Sequence, residues 1–124
     1  MINIVDIWNY LKTIPAIDTA LNSQIFYGKP PQELTTPYMY MQVITNNTQT
    51  AVQETIRVEF RIIDPRSEWT FANLQNISKL IYDNLAIYRE QNVIKVINSN
   101  NVQDYDEKNA KTFIRDLIFY QVIN

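Results

Sequence analysis

The sequence predicts an α+β fold: a mainly antiparallel sheet of about four to five strands, one long amphipathic helix packed on one face, and an N-terminal helix. Three observations carry this. Ile56, Val58, Phe60 and Ile62 alternate with Thr55, Arg57, Glu59 and Arg61, the period of two of a strand with one face in a core. Phe71, Leu74, Ile77, Ile81 and Leu85 recur at helical spacing, with Leu80 widening the stripe. The strand-like runs also cluster on either side of that helix instead of alternating with helices, which favours hairpins over parallel crossovers.

Taken in order, Ile4, Ile7, Trp8 and Leu11 share one helix face, with Asn3 as a cap and Asp6 in the first turn. Pro15 ends this helix, placing it at 3–13. A short linker or helical turn follows, then the brief apolar segment Ile25-Phe26-Tyr27. Gly28 is the only glycine in the chain, so it is expected to hold a turn at positive φ. Lys29-Pro30-Pro31 then forms an extended connector, and Thr36 is extended because it precedes Pro37.

Tyr38 to Ile44 reads as a strand, and Thr45-Asn46-Asn47-Thr48-Gln49-Thr50 as the polar tip of a hairpin. Its return strand is the alternating run through Ile62. Asp64-Pro65 predicts a helix start, with Asp64 as N-cap, and the helix then covers 66–87. Val93, Ile94, Val96 and Ile97 make a short strand, followed by a polar, acidic loop from Asn98 through Glu107. The final strand, from about Thr112 to Ile123, carries Ile114, Ile118, Tyr120 and Val122 on one side and Phe113, Leu117 and Phe119 on the other. Apolar residues on both sides mark a central strand or one covered by a partner. One long helix covers only one side of such a sheet, so a symmetric oligomer is the expected cover for the other.

Composition excludes several kinds of chemistry. The chain has 124 residues, which fits one domain over 1–124, and 46% hydrophobic residues are enough for a core. It has no Cys and no His, which removes disulfides, thiolate sites, Ser-His and Cys-His nucleophiles and the commonest metal ligand. A net charge of −2, with no Lys/Arg run, gives no electrostatic footprint for nucleic acid. No apolar segment approaches the roughly 20 residues of a membrane span. The first residues do not read as a signal peptide, and no lipidation pattern is present.

The remaining motifs favour structural readings. Asp104, Asp106 and Glu107 offer oxygen ligands, but lack the glycine and closing carboxylate of a calcium loop, so a solvated turn is preferred and no metal site is assigned. Asp64, Glu68 and Asp83 are not paired for acid–base work. Gly28-Lys29-Pro30-Pro31 lacks the second glycine of a phosphate loop. Tyr38 and Tyr40 beside Arg57 and Arg61 would suit base stacking, although tyrosine is also an ordinary strand residue. No catalytic residue, metal or cofactor is expected. The same aromatic, Met and Arg residues are types enriched at protein–protein contacts.

The layout resembles the tail terminator (tail completion) proteins of long-tailed bacteriophages. The resemblance rests on the leading helix Ile4–Leu11, the segment Ile25-Phe26-Tyr27-Gly28, and the entry Thr36-Pro37-Tyr38-Met39-Tyr40-Met41. It continues through Arg57-Val58-Glu59-Phe60-Arg61-Ile62-Ile63-Asp64 into the helix of Leu74, Ile77 and Leu85. It implies a single tail-terminator-like domain, without catalysis, in a homo-oligomeric, hexameric ring that caps the tail tube and joins it to the head-side connector or stopper protein. DNA would pass through the lumen without being read, no membrane would be involved, and the protein would reside in the virion tail or neck after assembly in the host cytoplasm. Tyr38, Tyr40, Asn46, Asn47 and Thr48 are the candidate subunit contacts; Arg57, Glu59 and Arg61 are the candidate inner or axial polar face. Head-completion or stopper proteins of the same neck region fit the layout too. Outside that group, the alternatives are a small monomeric module binding peptide or nucleic acid, and an enzyme using carboxylates alone.

Overall fold

The computed structural model describes the backbone of residues 2–30, 34–50, 53–92, 94–105 and 110–122, and the side chains of these except 45–50, 53, 89–92, 94, 99 and 122. The order of elements is α1 (Ile4–Lys12), α2 (Pro15–Ala20), β1 (Ile25–Tyr27), β2 (Tyr38–Thr50), β3 (Gln53–Asp64), α3 (Phe71–Asn92), β4 (Ile94–Tyr105) and β5 (Lys111–Val122). Among the described residues the strands form one five-stranded sheet in the order β1-β2-β3-β5-β4. Only β1–β2 is parallel; the other three pairs are antiparallel. The α+β, mainly antiparallel expectation therefore holds.

The three helices among the described residues all lie on the same side of the sheet. Ile7, Leu11, Ile17 and Leu21 from α1, α2 and the turn after them join Leu74, Ile77, Ile81 and Leu85 of α3. Together they cover Met39, Met41, Ile56, Val58, Phe60, Ile62, Phe113, Leu117 and Phe119. Most of these side chains are wholly inaccessible to water, so each contributes on the order of 1.5–3 kcal/mol through removal of apolar surface. Asn3 caps α1 as expected, its Oδ1 accepting from the amides of Val5 and Asp6. Pro15 stops α1 and also opens α2, where a missing amide proton costs nothing. Gly28 has φ +78°, and its amide donates to the Met41 carbonyl at 2.7 Å, closing β1 onto β2.

Three readings of local structure differ from the sequence, and α3 also runs on to Asn92 instead of ending at 87. Asp64 does not cap a helix: it ends β3, is buried, and accepts from the amides of Arg66 and Trp69. Ser67 at φ +52° prevents helical propagation there, so α3 begins at Phe71 behind the Thr70 hydroxyl, which accepts from the Asn73 amide. Residues Thr45–Thr50 are not a hairpin tip. They continue β2, with Asn46 opposite Ile56, Asn47 opposite Thr55 and Thr48 opposite Glu54, past an irregularity between Val43 and Thr45. Pairing with β3 overrides the weak strand propensity of Asn.

Asn98–Tyr105 likewise is not a loop but the second half of β4, paired with β5 through an irregularity at Asn98/Asn100. An edge strand tolerates polar residues because its outer side meets water. Asp104 pairs with Thr112 in this ladder, while Asp106 and Glu107 lie outside the described residues.

Candidate interaction face of the sheet

The register assigns each residue to one of two faces. On β3, Ile56, Val58, Phe60 and Ile62 point to the helices, so Thr55, Arg57, Glu59, Arg61 and Ile63 point away. The ladders extend this open face across the sheet. One row runs Phe26, Tyr40, Arg61, Ile114 and Val102; the next runs Gln42, Glu59, Asp116 and Asn100; a third runs Arg57, Ile118 and Ile97. No helix among the described residues covers this side.

A charged lattice occupies its centre. Glu59 and Asp116 stand directly opposite each other on β3 and β5, an arrangement that like charges disfavour. Each carboxylate is met by an arginine from β3. The Arg57 guanidinium lies 2.6 Å from Asp116 Oδ2, and Arg61 Nε donates to Glu59, which also accepts from Gln42 Nε2 at 3.2 Å. The carboxylate side chains are only 9% (Asp116) and 13% (Glu59) exposed, against 40% and 36% for Arg57 and Arg61. The arginines thus lie over the acids. Burial lowers the Arg61 pKa, but the hydrogen bond to Glu59 and the electrostatic influence of Tyr40 and Glu59 outweigh it, leaving the pKa raised.

Apolar residues flank the lattice. Toward β4, Ile114, Ile118 and Tyr120 are half-buried, and Ile97 and Val102 are exposed. Toward β1, Tyr40, Ile63 and Ala110 form a small second cluster with Phe26 and Tyr38, whose rings meet edge to face at 6.3 Å. This is the two-sided apolar character that the last strand announced.

No protein-family model matches this chain, and neither does any curated protein. Among solved structures, it is similar to a chain of one described as the virion of a native gene transfer agent (GTA) particle. The superposition has a TM-score of 0.60 and covers 94% of this chain and 90% of that one. What they share is the fold. Identity is 11%, far too low to carry over individual residues.

The residues singled out from sequence fall into two groups. Tyr38, Tyr40, Arg57, Glu59 and Arg61 all belong to the open face, and Tyr40 pairs directly with Arg61. The two candidate sets are therefore adjacent on one surface. Asn46, Asn47 and Thr48 lie farther along β2, on backbone bordering the same face. Sequence reasoning missed Asp116 and Gln42, the partners that complete the lattice. For Asp116 the signal was present, since it shares the alternation of Ile114 and Ile118; the β3–β5 register that sets it opposite Glu59 was not.

Arg115 lies on the other face, beneath α3. Its guanidinium donates to Ser78 Oγ and to Asn98 Oδ1 and sits 5.4 Å from the Tyr82 ring. Burial lowers its pKa, partly offset by Tyr82 and Asp83. No carboxylate is within ion-pairing distance among the described residues, so this arginine ties α3 to the β5–β4 edge through neutral groups. Among those residues there is also no group of three or more acidic side chains placed to hold a metal, and no helix long and apolar enough to cross a membrane.

Proposed function

We propose that this chain is a non-catalytic structural protein of a phage-type virion. In this reading residues 1–124 form one domain that assembles with copies of itself into a ring, hexameric as in the tail terminators it resembles. The ring caps the tail tube and contacts the head-side connector or stopper protein, in the tail or neck of a particle assembled in the host cytoplasm. The observation carrying this reading is the likeness of fold, over nearly the full length of both chains, to a chain in a virion. The one-sided packing of the helices supports it, because it leaves the opposite face of the sheet, with its charged lattice, free to line a lumen.

Within the ring, Asn46, Asn47 and Thr48 contact the neighbouring subunit, with Tyr38 and Tyr40 beside them. Arg57, Glu59 and Arg61 belong to the inner, axial surface. A lumen that passes DNA without retaining it must not present unneutralised cations, and here each lattice arginine is paired with a carboxylate. The same pairing weakens the nucleic-acid-binding alternative, which needs Arg57 and Arg61 available to phosphates.

The test is to mix the purified chain with assembled tail tubes from the same phage or prophage and image them by negative stain. The reading expects a ring-shaped cap at one tube end. Tubes that remain bare at both ends, with the chain left unbound, would overturn it.

A further inference from the structure

The sheet has two outer edges, and they are matched in an unusual way. β1 covers β2 only at Met39, Tyr40 and Met41, so from Gln42 to Thr50 no described strand lies beyond β2. That stretch, Gln42-Val43-Ile44-Thr45-Asn46-Asn47-Thr48-Gln49-Thr50, contains no charged residue and no proline. Sheet proteins ordinarily protect a free edge with Lys, Pro or a covering segment. At the opposite end β4 is, among the described residues, an edge along its whole length, Ile94–Tyr105, again without proline and with only Lys95 and Asp104 charged.

The ladder fixes how these edges relate. β3 is antiparallel to β2, β5 to β3, and β4 to β5, so β4 runs opposite to β2. Rotation about a ring axis preserves each strand's direction along that axis. A neighbour's β2 brought beside β4 is therefore antiparallel to it, the more stable pairing. The register also puts the two edges at the same height: Thr45 lies in the row of Ile97, and Asn47 in the row of Lys95.

From this we infer that the outer edge of β4 in one copy of this chain pairs with the outer edge of β2, from Gln42 to Thr50, in the next, continuing the sheet from subunit to subunit. The inference rests on the ring reading and specifies its contact. Two-fold pairing of β4 with β4, or of β2 with β2, would also be antiparallel, but each leaves the other edge open. The head-to-tail arrangement satisfies both at once, and it closes into a ring when the rotation between neighbours divides the full turn.

The absence of native cysteine allows a direct test. Thr45→Cys and Asn47→Cys variants are each mixed with Lys95→Cys and Ile97→Cys variants and oxidised, with light scattering on the same samples. The inference expects disulfide-linked dimers in at least one mixture and in no variant alone, and a ladder of multimers when both cysteines share one chain. Cross-linking of a single variant to itself would overturn it in favour of two-fold pairing. Amide hydrogen exchange on the unmodified chain provides the check that needs no variant. On assembly, protection should rise in 42–50 and 94–105. An oligomer without such protection and without cross-links would overturn the edge pairing while sparing the ring, whereas a monomer at every concentration would overturn both.

Discussion

Removing one arginine from the open face measures how much the charged lattice matters. In Arg57→Ala, Asp116 keeps a side chain only 9% exposed and loses the guanidinium 2.6 Å away. Its Oδ1 already has no hydrogen-bond partner among the described residues, so the variant leaves most of a carboxylate unpaired and facing Glu59 across the ladder. A buried polar group stranded in this way costs about 1–3 kcal/mol, more when charged. The exposed half of the pair contributes little by itself, since surface ion pairs are worth roughly 0–1 kcal/mol. Arg57→Ala should therefore lose about 2 kcal/mol, mostly through stranding Asp116. Arg57→Met combined with Asp116→Leu should recover most of that loss, because an apolar pair of similar volume carries no desolvation penalty. Urea unfolding at one fixed protein concentration supplies both numbers from the midpoints, provided the slopes agree. An Arg57→Ala loss below about 0.5 kcal/mol, or a double variant no better than the sum of the singles, would refute the reasoning.

Other substitutions probe the frame that holds this face. Ile81→Ala removes a fully buried side chain where α3 meets the sheet and should cost about 2–5 kcal/mol in the same urea assay. Asp64→Ala strands the amides of Arg66 and Trp69 and should lower stability by about 1–3 kcal/mol, with Asp64→Asn falling between it and the native chain. Arg115→Met should be destabilising alone, since Ser78 Oγ is then buried without its donor, and close to neutral when combined with Ser78→Ala. Thermal melts of the three proteins decide that comparison.

Where local pattern and tertiary pairing agree, the sequence was sufficient. The Asn3 cap, the positive φ of Gly28, the buried set Ile56, Val58, Phe60 and Ile62, and the α3 stripe all follow from spacing and residue type. The errors occur where pairing outweighs propensity. Asn46, Asn47, Asn98 and Asn101 read as loop residues, yet their backbones complete ladders with β3 and β5. Asp64-Pro65 carries a helix-start signature, but Ser67 adopts a left-handed conformation that no local motif announced. The open face was legible as a class of residues and not as a site. Arg57, Glu59 and Arg61 were visible on one strand, while Asp116 joins them only through contact across β3 and β5, more than fifty positions away in sequence.

The proposed assembly rests on a sheet with helices on one side, two matched edges and a fold shared with a virion chain. Native mass spectrometry of the purified chain, with light scattering across a concentration series, tests this most directly. One closed species at a fixed multiple of the 14.7 kDa chain is expected, six copies if the tail-terminator resemblance extends to stoichiometry. A 14.7 kDa monomer that persists at high concentration, with β2 and β4 edge amides exchanging freely, would contradict it.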